Sequence, residues 1–332
     1  MAENHTAESI MKSARGFMAS RILLSGAELD LFTLLANKSM TAGEIADKKG
    51  INLRGATILL DALAALGFLI KENGYYHLEP SVGALLSSDS PNSVLPMILH
   101  AATLWQTWTQ LTDIVSGRKT PGLERKGALG DENYKAFIGA MHVVASRFAP
   151  DVVAAINPGN ARRLIDVGGG SGTYTLAFLQ ACPDMKATLF DLPKVIELAR
   201  KRVQDAGLND RVTLVPGDFY QDVLPAGHDI ALLSAIIHQN SLAQNTALFH
   251  KVYQALTPGG RIIVRDHVMS ADRTQPLEGA VFAVNMLAGT PGGGTYTFNE
   301  IQAGLRDAGF TGVKLIQTRG MFSLVEGIKH LT

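Results

Sequence analysis

Apolar positions along the first third of the chain recur at helical spacing. Ile10, Phe17, Ile22, Leu24, Leu29, Phe32 and Leu35 mark one helical stretch over residues 7–36. In the segment that follows, Thr41 caps a short helix with Glu44 three residues on as its capping-box partner. Gly50 breaks that helix, a second runs from about Leu53 to Leu66, and Gly67 closes it. "FLIKENGYYHL" then reads as a hairpin turning at Asn73-Gly74. Helix, turn, helix, hairpin is a winged-helix pattern.

Residues 94–156 return to helical spacing, with Trp105, Trp108, Phe137 and Met141 on apolar faces. The turn cluster Asn157-Pro158-Gly159-Asn160 marks a boundary. Beyond it the rhythm alternates. "RLIDVG", "ATLFDL", "VTLVPGD", "HDIALLSAI" and "GRIIVRD" are short apolar runs with helical segments between most of them. Such alternation predicts a parallel sheet covered on both faces. Two last runs, "VKLIQT" and "FSLVEGI", are spaced for an antiparallel hairpin at one edge.

Composition narrows the function classes. With 46% hydrophobic and 18% charged residues in 332, the chain is globular and long enough for two domains. Thirty basic and thirty acidic residues cancel, so no global field recruits nucleic acid or an anionic membrane. The single cysteine, Cys182, excludes an internal disulfide and any cysteine zinc site, and His100, His142, His228, His250 and His267 form no helical metal-ligand pair. No metal is expected. The N-terminus lacks the apolar core of a signal peptide, and no run reaches the roughly 18 apolar residues of a membrane span. A cytoplasmic protein is the expectation.

"LIDVGGGSG" carries the first chemistry: a strand, then a glycine turn opening a helix. Gly168, Gly169 and Gly170 permit a tight turn and close approach of a ligand, and the helix N-terminus favours an anionic group. A dinucleotide fingerprint and a nucleophile elbow both need glycine where Thr173 stands, and the Gly-Lys-Ser/Thr of a P-loop is absent. Asp191 ends the next strand, where a carboxylate can accept from both ribose hydroxyls, and Asp218 ends the third, close to where an adenine would lie. Each aspartate alone reads as a strand-end turn residue. Together with the glycine turn they predict a nucleoside-binding crevice.

The apolar run Asp229 to Ile237 reads as a buried strand that delivers His238 at its carboxyl end, beside the non-titrating amides Gln239 and Asn240. His238 is then either a general base or a histidine that closes a strand. A phenol titrates near pH 10 and an imidazole near about 6.5, so a neutral imidazole at pH 7 suits proton removal from an attacking hydroxyl.

"LIDVGGGSG", "FDLPKVIE", "GDFY", the strand-end histidine, "ALTPGGRIIV" and "MLAGTPGG" together resemble the small-molecule O-methyltransferases that use S-adenosylmethionine. These include plant caffeate and flavonoid enzymes, hydroxyindole O-methyltransferase and bacterial natural-product enzymes. The resemblance covers nearly the whole chain. It implies an α/β fold, a doubly wound Rossmann-like methyltransferase domain over residues 159–332. An all-helical, winged-helix dimerisation domain would occupy 1–90, with a helical connector over 91–158. It implies a homodimer and S-adenosylmethionine as cofactor, held by Asp166, Gly168, Gly169, Gly170, Asp191, Leu192, Asp218, Phe219 and Ser234. It places the catalytic base on His238 and its supporting carboxylate on Asp266. The acceptor side would take Trp105, Phe137, Met141, Gln239, Asn240, Met286 and Thr295.

This chain departs from the plant pattern on the acceptor side. His-Asp-Trp is His238-Gln239-Asn240 here, a lysine near the cofactor carboxylate is Ser234, and a second supporting glutamate is Thr295. Carbon or nitrogen methylation, or non-methylating chemistry on the same fold, therefore stays open beside oxygen methylation. So does a cofactor-sensing DNA-binding regulator, although "LRGATILLDALAALG" offers only Arg54 as a base and carries Asp61. Trp105, Trp108, Phe137, Met141 and Met286 serve equally as ordinary core, His267 as a structural residue, and "TPGGG" as a lid or a flexible turn.

Overall fold

A computed structural model describes residues 5–122, 131–319 and 321–331, and the side chains of 131–137, 140 and 319 fall outside that description. The chain divides into two units between Gln106 and Thr107, within one helix.

In the N-terminal unit, α1 (Ala7–Glu28) turns through Asp30, at φ 51°, into α2 (Leu31–Leu35). A short strand β1 (Met40–Thr41) leads into α3 (Ala42–Lys49), α4 (Leu53–Ala65) and the hairpin β2 (Ile70–Glu72) and β3 (Tyr75–His77). The Thr41–Glu44 capping box is present, and Gly50 ends α3 in a left-handed conformation. The hairpin turns at Asn73 and Gly74, both at positive φ, as a two-residue turn requires. The strands order β1-β3-β2, the winged-helix arrangement. Asp61 on α4 accepts from Lys71 Nζ and the Tyr76 hydroxyl, both at 2.6 Å, which pins the helix to the wing. The helices α5 (Pro80–Leu86) and α6 (Leu95–Trp108) follow. Leu31, Phe32, Leu60, Leu63 and Tyr76 centre the core.

The C-terminal unit begins with α7 (Leu111–Val115), α8 (Asp131–Ser146) and α9 (Ala149–Ile156). Strand and helix then alternate: β4 (Arg163–Val167), α10 (Thr173–Ala181), β5 (Lys186–Asp191), α11 (Pro193–Asp205), β6 (Val212–Pro216), β7 (His228–Ser234), α12 (Leu242–Ala255) and β8 (Leu256–Asp266). After the two-residue strand β9 (Val268–Met269) come α13 (Leu277–Gly289), β10 (Tyr296–Thr297), α14 (Phe298–Asp307) and the hairpin β11 (Thr311–Arg319) and β12 (Phe322–Ile328). The seven-stranded sheet orders β11-β12-β8-β7-β4-β5-β6, parallel from β8 to β6 and antiparallel at the β11–β12 edge. Alternate residues of β4, β7 and β8 feed two cores, one on each face: Leu164, Ile230, Leu232 and Ile263 on one, Ile165, Ala231, Leu233 and Val264 on the other. Winding reverses between β4 and β7, which places a crevice at their carboxyl ends. Among the described residues no helix is long and apolar enough to cross a membrane.

One expectation needs correction. The strand predicted to run from Asp229 to Ile237 stops at Ser234, where pairing to Arg265 ends. Ala235 then adopts φ 58°, and His238 sits in a one-turn 3₁₀ helix, Ile237–Gln239. Apolarity there reports burial rather than strand, because Ile236 and Ile237 pack under the glycine turn and α12.

Gly26 marks how closely α1 approaches its neighbours, since a Cβ there would lie 3.0 Å from Leu63 Cδ1 and 3.1 Å from Phe32 Cζ. Gly26→Val should therefore lower stability by about 1–3 kcal/mol, the usual cost of overpacking. Urea unfolding measures it, and an unchanged midpoint would mean that the helices separate freely.

Candidate active site

The glycine turn is fixed by what lies beneath it. Gly168, Gly170 and Gly172 take φ of 69°, 58° and 84°, which favour glycine. A Cβ on Gly168 would fall 2.4 Å from Ile236 Cδ1, and one on Gly169 would fall 2.8 Å from Asp166 Cγ. At Gly170 nothing lies within 4 Å, so this residue faces open space. The Gly170 N–H donates to Asp191 Oδ2 at 2.8 Å, tying the turn to the end of β5. Burial pushes the Asp191 carboxyl up, and the Gly170 and Leu192 amides oppose that shift. Leu192 beside it leaves an exposed apolar side chain, and Phe219 approaches Gly168 from β6's side of the crevice.

Asp166 behaves differently from the expectation that it contacts cofactor. It is buried under the turn and accepts from the Thr175 hydroxyl at 2.7 Å, so it braces the loop from below. Burial, with Asp191's charge adding, pushes its carboxyl up to about 6 against the Thr175 hydrogen bonds. Asp218 caps a turn: Oδ1 accepts the Tyr220 N–H and Oδ2 the Gln221 side chain. Ser234 Oγ accepts from Arg265 Nη1 at 3.2 Å.

His238 and Asp266 meet. Nδ1 lies 2.9 and 3.1 Å from the two Asp266 oxygens, and the His238 N–H donates to Oδ2 at 3.4 Å. Asp266 is buried, and Oδ1 also accepts the His267 N–H. Burial pushes its carboxyl up, but His238's charge and hydrogen bond and the His267 amide outweigh it and hold the group below the usual range. An ionised carboxylate only accepts, so Nδ1 is the nitrogen that donates to Asp266, and Nε2 lies outside this hydrogen bond. The imidazole remains 15% exposed and meets the Phe282 ring edge-on at 4.9 Å.

The acceptor-side residues divide. Gln239 is exposed, whereas Asn240 is 0% exposed. Its side chain bonds the Tyr220 hydroxyl and Asn245, and its carbonyl accepts from the Tyr296 hydroxyl. Asn240 therefore braces the turn instead of facing a ligand, a correction to the sequence reading. Met286 and Thr295 are buried, and the Thr295 carbonyl accepts from Arg273. Met141 lies partly exposed on α8, Phe137 precedes it with a side chain outside the described residues, and Trp105 belongs to the N-terminal unit, where it packs on Phe17 and under Arg21. The "TPGGG" segment is docked on the His238 turn: the Gly294 N–H donates to the His238 carbonyl, and a Cβ on Gly293 would fall 2.5 Å from that oxygen. His267 is buried between the rings of Phe282 and Phe322.

Several contributors escaped the sequence. Phe282 touches His238 and lies four residues before Met286, a spacing that places both on one helical face. Asn285 on the same helix accepts from Trp108 Nε1 at 3.1 Å. His142 Nδ1 lies 2.8 Å from the Thr173 hydroxyl at the start of α10. Burial, then Arg202's charge, push its imidazole down to about 4, so it is neutral at pH 7.

This sheet order, with a glycine turn and an acidic strand end at the winding reversal, is that of a nucleoside-binding methyltransferase. The chain belongs to the O-methyltransferase family: that family's domain matches residues 122–311, and the O-methyltransferase dimerisation domain matches 11–88. It is 33% identical to the tetracenomycin polyketide synthesis 8-O-methyl transferase of Streptomyces glaucescens, over 96% of each chain. It is 30% identical to 3-hydroxy-5-methyl-1-naphthoate 3-O-methyltransferase of Streptomyces sahachiroi, over 95% of this chain and 93% of that one. The crystal structure of human N-acetylserotonin methyltransferase in complex with S-adenosylmethionine superposes with a TM-score of 0.85, at 25% identity over 99% of both chains.

The residues present fit such a donor. Gly170 leaves open space, Asp191 has acceptor capacity left for a diol, and Leu192 and Phe219 offer apolar faces for a base. The nucleoside-side electrostatics give a stability test. Between about pH 4 and 6 the folded chain keeps the Asp166 proton that the unfolded chain releases, so stability falls as pH rises through that window. Asp166→Asn should remove this fall, gaining on the parent by up to roughly 3 kcal/mol between pH 4 and 7. Parallel pH profiles of the urea midpoint for both proteins would contradict the assignment.

Proposed function

We propose that the chain transfers the methyl group of S-adenosylmethionine to a hydroxyl of a small aromatic acceptor, with His238 as general base. The observation that carries this reading is the His238–Asp266 pair, which engages Nδ1 and leaves Nε2 of a partly exposed ring outside that bond. When bound, the donor supplies an electrophilic methyl group on a sulfonium. The protein's own tasks are to align the acceptor oxygen with that carbon and to take its proton. His238 Nε2 receives the proton as the oxygen attacks, and the ionised Asp266 stabilises the imidazolium that forms. Asp191 would bind the ribose hydroxyls, with Leu192 and Phe219 flanking the adenine. The two Streptomyces relatives, one named for a polyketide and one for a naphthoate, support a fused aromatic acceptor. Phe282 on α13 supplies an apolar neighbour of His238 for such a ring.

His238→Ala should cut turnover by roughly 10²–10⁴. Calorimetric affinity for S-adenosylhomocysteine should stay nearly unchanged, because His238 binds no part of the nucleoside. Asp266→Asn should cost less, since it removes orientation and charge support but leaves the base. Single-turnover methyl transfer across pH is the measurement. Full rate with an unaltered pH profile in His238→Ala would reduce the histidine to a structural role.

The N-terminal unit is the family's dimerisation domain, and we propose a homodimer built on α1. Ile10, Met11, Phe17 and Met18 on that helix are about half exposed, between 48% and 56%, which is apolar surface suited to a second copy. Light scattering should give about twice the 35.5 kDa chain mass. Ile10→Glu with Phe17→Glu should shift it toward one chain mass. A monomeric parent protein would sink the proposal.

A further inference from the structure

Between the end of β7 and His238 the chain has to turn back on itself. Ser234 is level with Arg265 in the parallel pairing of β7 with β8, so Ala235 is next in line with Asp266. Had β7 run on in that register, His238 would lie level with Met269, three residues or about 10 Å past Asp266. Instead its Nδ1 lies 2.9 Å from Asp266 Oδ1. The chain leaves the strand direction at Ala235, which takes φ 58°.

That conformation is costly for alanine. Of the five non-glycine residues at positive φ among the described residues, Asp30, Asn73 and Asn157 carry short polar side chains that suit this region. Ala235 has a Cβ and no such group. Its anchors on both sides show what holds it there. The Ala235 N–H donates to the Arg265 carbonyl at 2.8 Å. Beyond it, Ile236 packs under Gly168, and the Ile237 carbonyl accepts from Asn245 Nδ2 at 2.9 Å. The His238 N–H then donates to Asp266 Oδ2 at 3.4 Å. Residues 235 and 238 are thus tied to consecutive residues of β8, which an extended chain cannot satisfy.

Backbone strain of this kind persists only where its surroundings over-determine it. The left-handed well open to alanine is narrow, whereas glycine occupies either sign of φ over a wide range. An alanine held in that well fixes the exit direction of the chain more sharply than glycine does.

We propose that Ala235 is a positioning residue, whose strained left-handed backbone holds the His238 imidazole in place against Asp266. The proposal rests on His238 acting as the general base.

The test compares Ala235→Gly and Ala235→Asn in the full chain, because asparagine keeps a side chain yet tolerates positive φ. Ala235→Gly should leave the urea midpoint unchanged or raise it, since glycine relieves the strain. In the same variant the low-field proton resonance of His238 Nδ1, assigned by its loss in His238→Ala, should weaken or broaden away. Single-turnover methylation of a dihydroxynaphthalene probe should fall roughly 3–30-fold. Ala235→Asn should recover most of the resonance and of the rate. A merely structural residue would lose stability and function together, so the opposite signs identify positioning. A glycine variant with the parent's resonance, or with a lowered urea midpoint, would overturn the proposal. Both readings stand without an acceptor if the parent does not methylate the probe. A methylation rate that survives His238→Ala would overturn the base instead.

Discussion

The parallel pairing of β4 with β7 is the constraint on which the site depends. The two strands are hydrogen-bonded only from Leu164 to Asp166 and from Ile230 to Leu232. Beyond that they part, one into the glycine turn and the other into the turn that carries His238. The two turns stay in contact through Ile236 against Gly168, with no room for a Cβ between them. The Ile236–Gly168 contact thus gauges the glycine turn against the His238 turn. A parallel sheet whose winding reverses at this pair must open a crevice here, because no crossover helix covers the gap.

The same side-chain chemistry serves opposite ends in this framework. Asp166 and Asp266 are both buried carboxylates at strand ends. Asp166 meets a neutral hydroxyl and another acid nearby, so burial dominates and its proton is held more tightly. Asp266 meets an imidazole and a backbone amide, which outweigh burial and keep it ionised. The first supports a loop, and the second can orient a base. Position within the sheet, not residue type, separates them.

Around His238 the polar residues are largely spent on holding the turn. Asn240, Asn245, Tyr220 and Tyr296 bond one another and its backbone, and the Gly293-Gly294 segment closes against its carbonyl. This network fixes the main chain while leaving the imidazole ring partly exposed, the condition that the proposed general base requires. The neighbour of the imidazole on α13 is apolar: the Phe282 ring meets it edge-on.

Patterning alone determined the winged helix, its Thr41 cap and Asn73-Gly74 turn, the alternating sheet and its antiparallel edge, because each is a local periodicity or a single-residue conformational preference. It also placed Asp191 at the mouth of the sheet, where an apolar run and its strand end together, whereas Asp266 came from the family resemblance. Where β7 stops was not legible: Ile236 and Ile237 are as apolar as a strand, and only pairing with β8 and packing under Gly168 end it at Ser234. Tertiary structure likewise turned Asn240 and Asp166 inward, brought Phe282 onto His238, and set the Arg265 guanidinium over the Tyr174 ring from 91 residues apart in the chain. Those outcomes depend on which residues meet across elements, and a one-dimensional pattern carries the period of each element but not the register between them.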